Sequence, residues 1–258
     1  MTISLKTIGQ YADTLLETAN TGDYPNAFNG VQLENRSPIR GVAAAVDFSS
    51  RAIAGAIATN SNLLLVHHGM FWAGLERLTD GAYRRVKTLI ESDIGVYSSH
   101  LPLDRHPTLG NNALLARELG LEPTRGFANF ENFSIGVSGE TDIETSVLVT
   151  RARIFSAAEG GEVRVSSFEK GRKTRHWAIC TGAGASADTL KEAGTMGIDT
   201  LIVGEGPHWT AVHAEESDLV VIYAGHYATE TLGVRALAQH LADRFDLPWH
   251  FVSAPTGL

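Results

Sequence analysis

The chain has 258 residues, of which 43% are hydrophobic and 19% charged, enough to bury the core of one large domain or of two interlocked ones. Its formal charge of −8, from 21 Lys and Arg against 29 Asp and Glu, argues against a broad basic surface for nucleic acid. The single cysteine excludes an internal disulfide. No apolar segment approaches the ~18 residues of a membrane span, and the N-terminus lacks the apolar core of a signal peptide. We therefore expect a soluble, cytoplasmic protein with no membrane partner.

Short apolar runs alternate with amphipathic stretches through the N-terminal half of the chain. The pattern predicts strands over 41–48, 62–68 and 94–100, and helices over 4–19, 82–92 and 111–120. A further helix, through Ala58, follows the candidate caps Ser49 and Ser50. This β-α-β-α-β order is typical of a mostly parallel sheet covered by helices.

The pattern weakens between about Phe127 and Ser167, where strand and helix character are mixed, and then returns. The later strands are predicted at HWAICTG, TLIVGEG, DLVVIYAGH and PWHFVSA, and the later helices at ADTLKEAGTMG, HWTAVHAEES and ATETLGVRALAQHLADRF. We therefore predict an α/β fold of two interlocked layers, with mostly parallel sheets flanked by helices.

Three of the predicted strands run directly into side chains that can bind metal. These side chains are His67, His68, His100, Asp104, His226 and Glu230. Because sites in parallel α/β sheets form at the carboxyl ends of strands, we expect a metal site in the cleft at these ends. Imidazole and carboxylate without thiolate favour Zn, Fe, Mn, Co or Ni.

The spacing of these residues leaves more than one arrangement open. His226 and Glu230 share one face of a helix that starts near His226. Adjacent His67 and His68 point to opposite sides of a regular strand, so they reach one ion only if the strand has ended at Gly69; otherwise they serve two ions. Five or six ligands are too many for one catalytic zinc, whereas two ions ~3.5–4 Å apart, bridged by a carboxylate, would use them.

The segments VHHG, SSHLPLDRHPTLGNNALLA and AGHYATETLGVRAL occur in an order that closely resembles the Nif-three-like family of dinuclear metal-centre proteins, often labelled GTP cyclohydrolase type-two homologues. The resemblance covers nearly the whole chain, includes NGVQLE, and matches the short form without an inserted domain. It implies a homo-oligomer, commonly a ring-shaped hexamer, and two metal ions per chain. The metal ligands it implies are His67, His68, Asp104, His226 and Glu230.

The resemblance implies further roles at this site. Glu230 is the natural bridging carboxylate, and His100 aligns with a family histidine at the cleft, which we interpret as a catalytic residue. The segment 204–216 departs from the family pattern after Glu205, where Pro207, His208 and Trp209 resemble a subgroup variant. If substrate contacts lie in this segment, substrate choice is expected to differ within the family. We predict an N-terminal α/β domain over 1–126 with most metal ligands, a second α/β domain over 127–225, and a C-terminal helix and strand over 226–258 that return to the metal site and the first domain.

The leading functional hypothesis is a metal-dependent hydrolase of cyclohydrolase or phosphoesterase type. No Ser-His-Asp arrangement is visible, so the nucleophile would be metal-bound hydroxide, with His100 as proton shuttle. The alternative is a non-enzymatic protein that handles metal, as a chaperone or insertion factor, or that has a regulatory role.

Three other features have structural interpretations. We interpret Asp47 as a helix cap, Cys180 as a buried inert thiol, and GAGASAD (182–188) as a strand-to-helix turn.

Overall fold

The computed structural model describes residues 2–257, which form eleven strands, ten α-helices and one 3-10 helix, Thr18–Asn20. The strands are β1 Gly30–Leu33, β2 Val42–Asp47, β3 Leu63–His68, β4 Gly95–Ser98, β5 Arg125–Phe130, β6 Phe133–Glu144, β7 Arg164–Val165, β8 Lys173–Cys180, β9 Thr200–Val203, β10 Val220–Tyr223 and β11 Trp249–Phe251. The helices are α1 Leu5–Leu15, α2 Ser50–Ala58, α3 Asp80–Glu91, α4 Leu101–Asp104, α5 Asn111–Glu118, α6 Thr145–Ala158, α7 Ala187–Met196, α8 Trp209–Glu216, α9 His226–Thr229 and α10 Thr231–Phe245. Within the described range, every helix is too short or too polar to span a bilayer.

The first compact unit comprises Met1–Leu103 and Gly233–Ala254. Its five-stranded sheet has the order β1-β4-β3-β2-β11, and every pairing is parallel except that of β1 with β4. The apolar runs of β2 and β3 are buried, as expected for parallel strands covered by helices. The Ser49 hydroxyl accepts a hydrogen bond from the Ala52 amide, which confirms Ser49 as the cap of α2.

The second compact unit comprises Asp104–Leu232 and Pro255–Leu258. Its six-stranded sheet has the order β5-β6-β8-β9-β10-β7 and is mixed, because only β8, β9 and β10 run parallel. A two-residue turn joins β5 to β6, and a turn this short can connect only antiparallel strands. The α/β class is therefore confirmed, while the mostly parallel arrangement holds for the first sheet alone.

The division between the units follows the packing of two segments. Leu115 of α5 and Leu119, which caps this helix, lie in one apolar core with Leu148 and Trp177, so α5 belongs to the second unit. Strand β11 pairs with β2, so the segment Gly233–Ala254 that contains β11 belongs to the first unit. The chain passes from one unit to the other after Leu103, after Leu232 and after Ala254. The domain boundaries after residues 126 and 225 stay a prediction.

Candidate metal centre

Three histidines converge at the carboxyl ends of β3 and β4 in the first unit. These strands are parallel neighbours, with Val66 paired to Ser98, so the end of β3 lies beside the residues that follow β4. His67, His68 and His100 each offer one ring nitrogen, and these three nitrogens lie within 4.8 Å of one another. His68 is the last residue of β3, and the two adjacent rings converge, with centroids 4.8 Å apart. All three histidines are buried, as metal ligands commonly are.

Each of these imidazoles is held through its Nδ1 atom by an oxygen acceptor. The acceptors are the Ser99 carbonyl oxygen for His67 at 2.9 Å, Asp47 Oδ1 for His68 at 2.9 Å and Asp23 Oδ1 for His100 at 2.8 Å. An Nδ1–H that donates to an oxygen fixes the tautomer whose lone pair is on Nε2, the atom a neutral imidazole offers to a metal. The same arrangement of acceptors occurs three times around one cluster, which is typical of metal-binding histidines.

Asp23 and Asp47 hold two of these histidines, a role that the sequence patterns did not identify. Asp23 accepts hydrogen bonds from Asn29 Nδ2 and from the Leu101 amide as well as from His100. Burial alone would raise the pKa of Asp23, but these hydrogen bonds and the neighbouring imidazole outweigh it and lower the pKa. Asp47 holds His68, so its interpretation as a helix cap was wrong; the cap is Ser49.

The second unit holds further candidate ligands, which follow the end of β10. Helix α9 begins at His226, and Glu230 follows its last turn, so His226 Nε2 lies 3.2 Å from Glu230 Oε2. The Nδ1 atom of His226 is 2.7 Å from Glu205 Oε1. Burial by itself lowers the pKa of His226, but the Glu230 and Glu205 carboxylates outweigh it and raise the pKa to about 9. At pH 7 the imidazole is therefore protonated without metal, and a metal ion has to displace that proton.

Asp104, the third candidate ligand of the second unit, lies in α4 and is buried. Asn111 Nδ2 donates a hydrogen bond of 2.8 Å to Asp104 Oδ1, which orients the carboxylate. Burial, followed by the charges of Asp104 and Glu230, raises the pKa of Cys180 to about 12. The thiol thus stays protonated, which supports an inert Cys180 and leaves imidazole and carboxylate as the donor set.

The turn after β8 gives the Glu230 carboxylate its space. Gly182 has φ +63°, in the region that favours glycine, and a Cβ atom there would overlap Glu230 Oε1. The Gly182 amide also donates to Thr229 Oγ1 at 3.1 Å, within the helix that carries His226. The segment GAGASAD is therefore the strand-to-helix turn that its sequence predicts, and it also shapes the surroundings of Glu230.

Removing the acceptor of His68 should weaken metal binding. Asp47→Ala leaves the His68 ring without the oxygen that fixes its tautomer, and we expect metal affinity to fall roughly 10- to 100-fold. Competition with a fluorescent chelator measures the change. Asp142→Ala is the control, because Asp142 is exposed on β6 and pairs only with surface charges. Equal affinity in the two variants would contradict a metal-supporting role for Asp47.

Gly182→Ala should displace the Glu230 carboxylate. The positive φ disfavours alanine by roughly 1–2 kcal/mol, and the added methyl group overlaps the carboxylate oxygen, so we expect the chain to bind less metal. Gly194→Ala is the matched control, because a Cβ atom there meets no other atom within 4 Å. Metal counting by mass spectrometry with a thermal melt compares the two, and full metal content in Gly182→Ala would contradict this role.

The fold and these two ligand groups define an α/β protein whose buried imidazoles and carboxylates can bind metal ions. The chain belongs to the family Duf34/NIF3 (NGG1p interacting factor 3), whose family model matches residues 3–256. This match confirms the family resemblance of the VHHG, HLPLD and GHYATE segments.

Known relatives cover the chain almost completely. A Deinococcus radiodurans protein named GTP cyclohydrolase 1 type 2 homolog is 39% identical over 243 residues, 94% of this chain and 91% of that protein. A Pseudomonas aeruginosa protein of the same name is 35% identical over 256 residues, 99% of each. The solved structure of protein ybgI, described as of unknown function, is 30% identical with a TM-score of 0.89 and covers 99% of this chain and 100% of its own.

Proposed function

We propose that this chain is a metal-dependent hydrolase that holds two divalent metal ions in a dinuclear centre and acts on a small molecule. The carrying observation is the convergence of three ring nitrogens within 4.8 Å in the first unit, with each ring held by an oxygen acceptor. The metal ligands that we propose are His67, His68, Asp104, His226 and Glu230. The donor set fits Zn, Fe, Mn, Co or Ni, because it contains nitrogen and oxygen atoms and no thiolate.

Two divalent ions, when bound, supply a water of lowered pKa and polarise the bond to be cleaved. The protein groups then position the ligands and move the proton. Asp47 and the Ser99 carbonyl orient His68 and His67, and Glu205 orients His226. In this proposal, Nε2 of His100 accepts the proton released by water, and Asp23 stabilises the resulting imidazolium through Nδ1.

The names of the relatives support a hydrolytic reaction on a heterocyclic or phosphorylated substrate. The label GTP cyclohydrolase 1 type 2 homolog belongs to proteins that are 39% and 35% identical to this chain. Cyclohydrolase chemistry requires an activated water and an acid–base group, and the proposed centre with His100 supplies both. The buried positions of His67, His68 and Glu230 favour ions that are retained through turnover over ions that are handed to a partner.

Metal counting together with a hydrolysis screen tests this function. The purified chain should carry about two metal equivalents near neutral pH, and His67→Ala should lose at least one. His250→Ala is the control, because His250 is exposed on β11 of the same unit. The screen covers phosphoesters, cyclic amides and nucleotides. A chain without bound divalent metal would contradict the proposal. Two metal ions that exchange readily, without hydrolysis of any screened substrate, would indicate a metal-handling protein instead.

We also propose that the chain forms a homo-oligomer, with a hexamer as the state that the family resemblance implies. Light scattering should then give a mass well above the 27.7 kDa of one chain. A clean monomer at micromolar concentration would contradict this proposal.

A further inference from the structure

Two aromatic side chains lie against the imidazole cluster of the first unit and remain open to solvent. The Trp72 ring centroid is 4.7 Å from that of His68 and 4.5 Å from that of His100, while the Tyr24 centroid is 6.0 Å from His100. Trp72 is 39% exposed and Tyr24 is 52% exposed, although His100 between them is only 7% exposed. Burying an aromatic ring stabilises a fold in proportion to the area removed from water, so exposed rings beside a buried polar cluster call for another explanation.

A second pair of aromatic residues extends this surface. The Phe28 and Phe71 ring centroids are 5.4 Å apart, and both rings are exposed. Phe28 follows Tyr24 in the loop before β1, and Phe71 precedes Trp72 in the loop after β3. We call these four residues, Tyr24, Phe28, Phe71 and Trp72, the aromatic rim.

One side chain ties together the two loops that carry the aromatic rim. Gln32 Nε2 donates to the Phe28 carbonyl oxygen at 2.8 Å, and Gln32 Oε1 accepts from the Met70 amide at 2.6 Å. A Cβ atom on Gly69 would overlap the Gln32 amide, so glycine is the residue that lets Gln32 fit there. The rim is therefore held in place before any ligand arrives, which lowers the entropic cost of binding.

We propose that the aromatic rim is a binding site for the planar ring of a nitrogen heterocycle of the nucleobase class, with Trp72 as its main stacking partner. Aromatic side chains stack on such rings, because every base has a π face. The four rim side chains are uncharged aromatics, so the contacts that they offer are to the ring of a ligand and not to an attached phosphate. The proposal rests on the proposed function and deepens it by naming the class of small molecule that the hydrolase takes.

Nucleoside binding to the metal-loaded full chain tests this site, since nucleosides lack the phosphate that would bind a metal directly. Isothermal calorimetry with adenosine, guanosine and ribose should show binding of the nucleosides and none of ribose. Trp72→Leu should weaken nucleoside binding on the order of 10- to 100-fold, and Tyr24→Leu should weaken it to a smaller extent. Trp72→Phe should retain most of the affinity, because the stacking face is kept.

Trp209→Leu is the matched control, because Trp209 is a similarly exposed tryptophan on α8 of the second unit. It should leave nucleoside binding unchanged. Metal content and sedimentation are measured on every variant, and both should match the wild-type chain. Loss of metal in Trp72→Leu would indicate that Trp72 only shields the histidines from solvent. A changed oligomer mass would indicate that the rim is an interface between copies of the chain. Either result overturns the proposal.

The outcomes also separate this site from the proposed function. Suppose that the chain binds two metal ions and hydrolyses a screened substrate, but binds ribose as tightly as it binds nucleosides. This result would contradict nucleobase binding at the aromatic rim and would still support the proposed hydrolase function. A chain without bound metal would overturn both.

Discussion

Glu230→Gln should reduce the metal content of the chain from about two equivalents to about one. Glu230 is buried, and its carboxylate lies 3.2 Å from His226 Nε2. A bridging carboxylate offers one oxygen to each ion and offsets the repulsion between two doubly charged ions, so the neutral amide should release one ion far more readily than the other. The amide keeps the shape of the side chain, and folding should be largely intact.

Glu91→Gln is the control for the lost charge. Like Glu230, Glu91 pairs with a basic residue four positions earlier in the chain, here Lys87 on α3, but the Glu91 side chain is exposed. It should keep full metal content and change the free energy of unfolding by no more than about 0.5 kcal/mol. If Glu230 is only a helix-terminal acid, Glu230→Gln should likewise retain both ions and cost a few tenths to ~1 kcal/mol. Mass spectrometry of the native proteins decides between these results.

His100→Asn should abolish most hydrolysis while both metal ions stay bound. The asparagine amide can still donate a hydrogen bond to Asp23 in place of Nδ1. It has no basic nitrogen, however, and cannot accept a proton as Nε2 of His100 does. The loss of a general base typically lowers the rate by roughly 10²- to 10⁴-fold. Turnover of whichever substrate the screen identifies, measured alongside metal content, gives the result.

His250→Asn is the control for this substitution, because His250 is exposed and lies outside the histidine cluster. It should leave turnover and metal content unchanged. A metal ion lost from His100→Asn would reassign His100 as a ligand, since its ring nitrogen lies within 4.8 Å of those of His67 and His68. Unchanged turnover would remove His100 from the mechanism.

The sequence determined many of the elements, and proposed the candidate ligands, through local patterns. The apolar run before His67 and His68 predicts a buried strand, and β3 ends at His68. Ser49 predicts the start of α2, and the spacing of His226 and Glu230 predicts that their side chains lie close together, as the 3.2 Å between His226 Nε2 and Glu230 Oε2 shows, although Glu230 caps the helix that begins at His226. These features depend on residues a few positions apart, so side-chain periodicity and capping chemistry are sufficient to find them.

The tertiary structure alone decided which residues support those ligands and where the chain divides. Asp23 reaches His100 across 77 residues and Asp47 reaches His68 across 21, and neither pairing has a local sequence signal. The placement of α5 in the second unit and of β11 in the first likewise depends on packing partners distant in sequence. Such contacts form because folding has to bury apolar faces and satisfy buried polar atoms wherever the chain provides a partner, and the identity of that partner is set only when the sheets assemble.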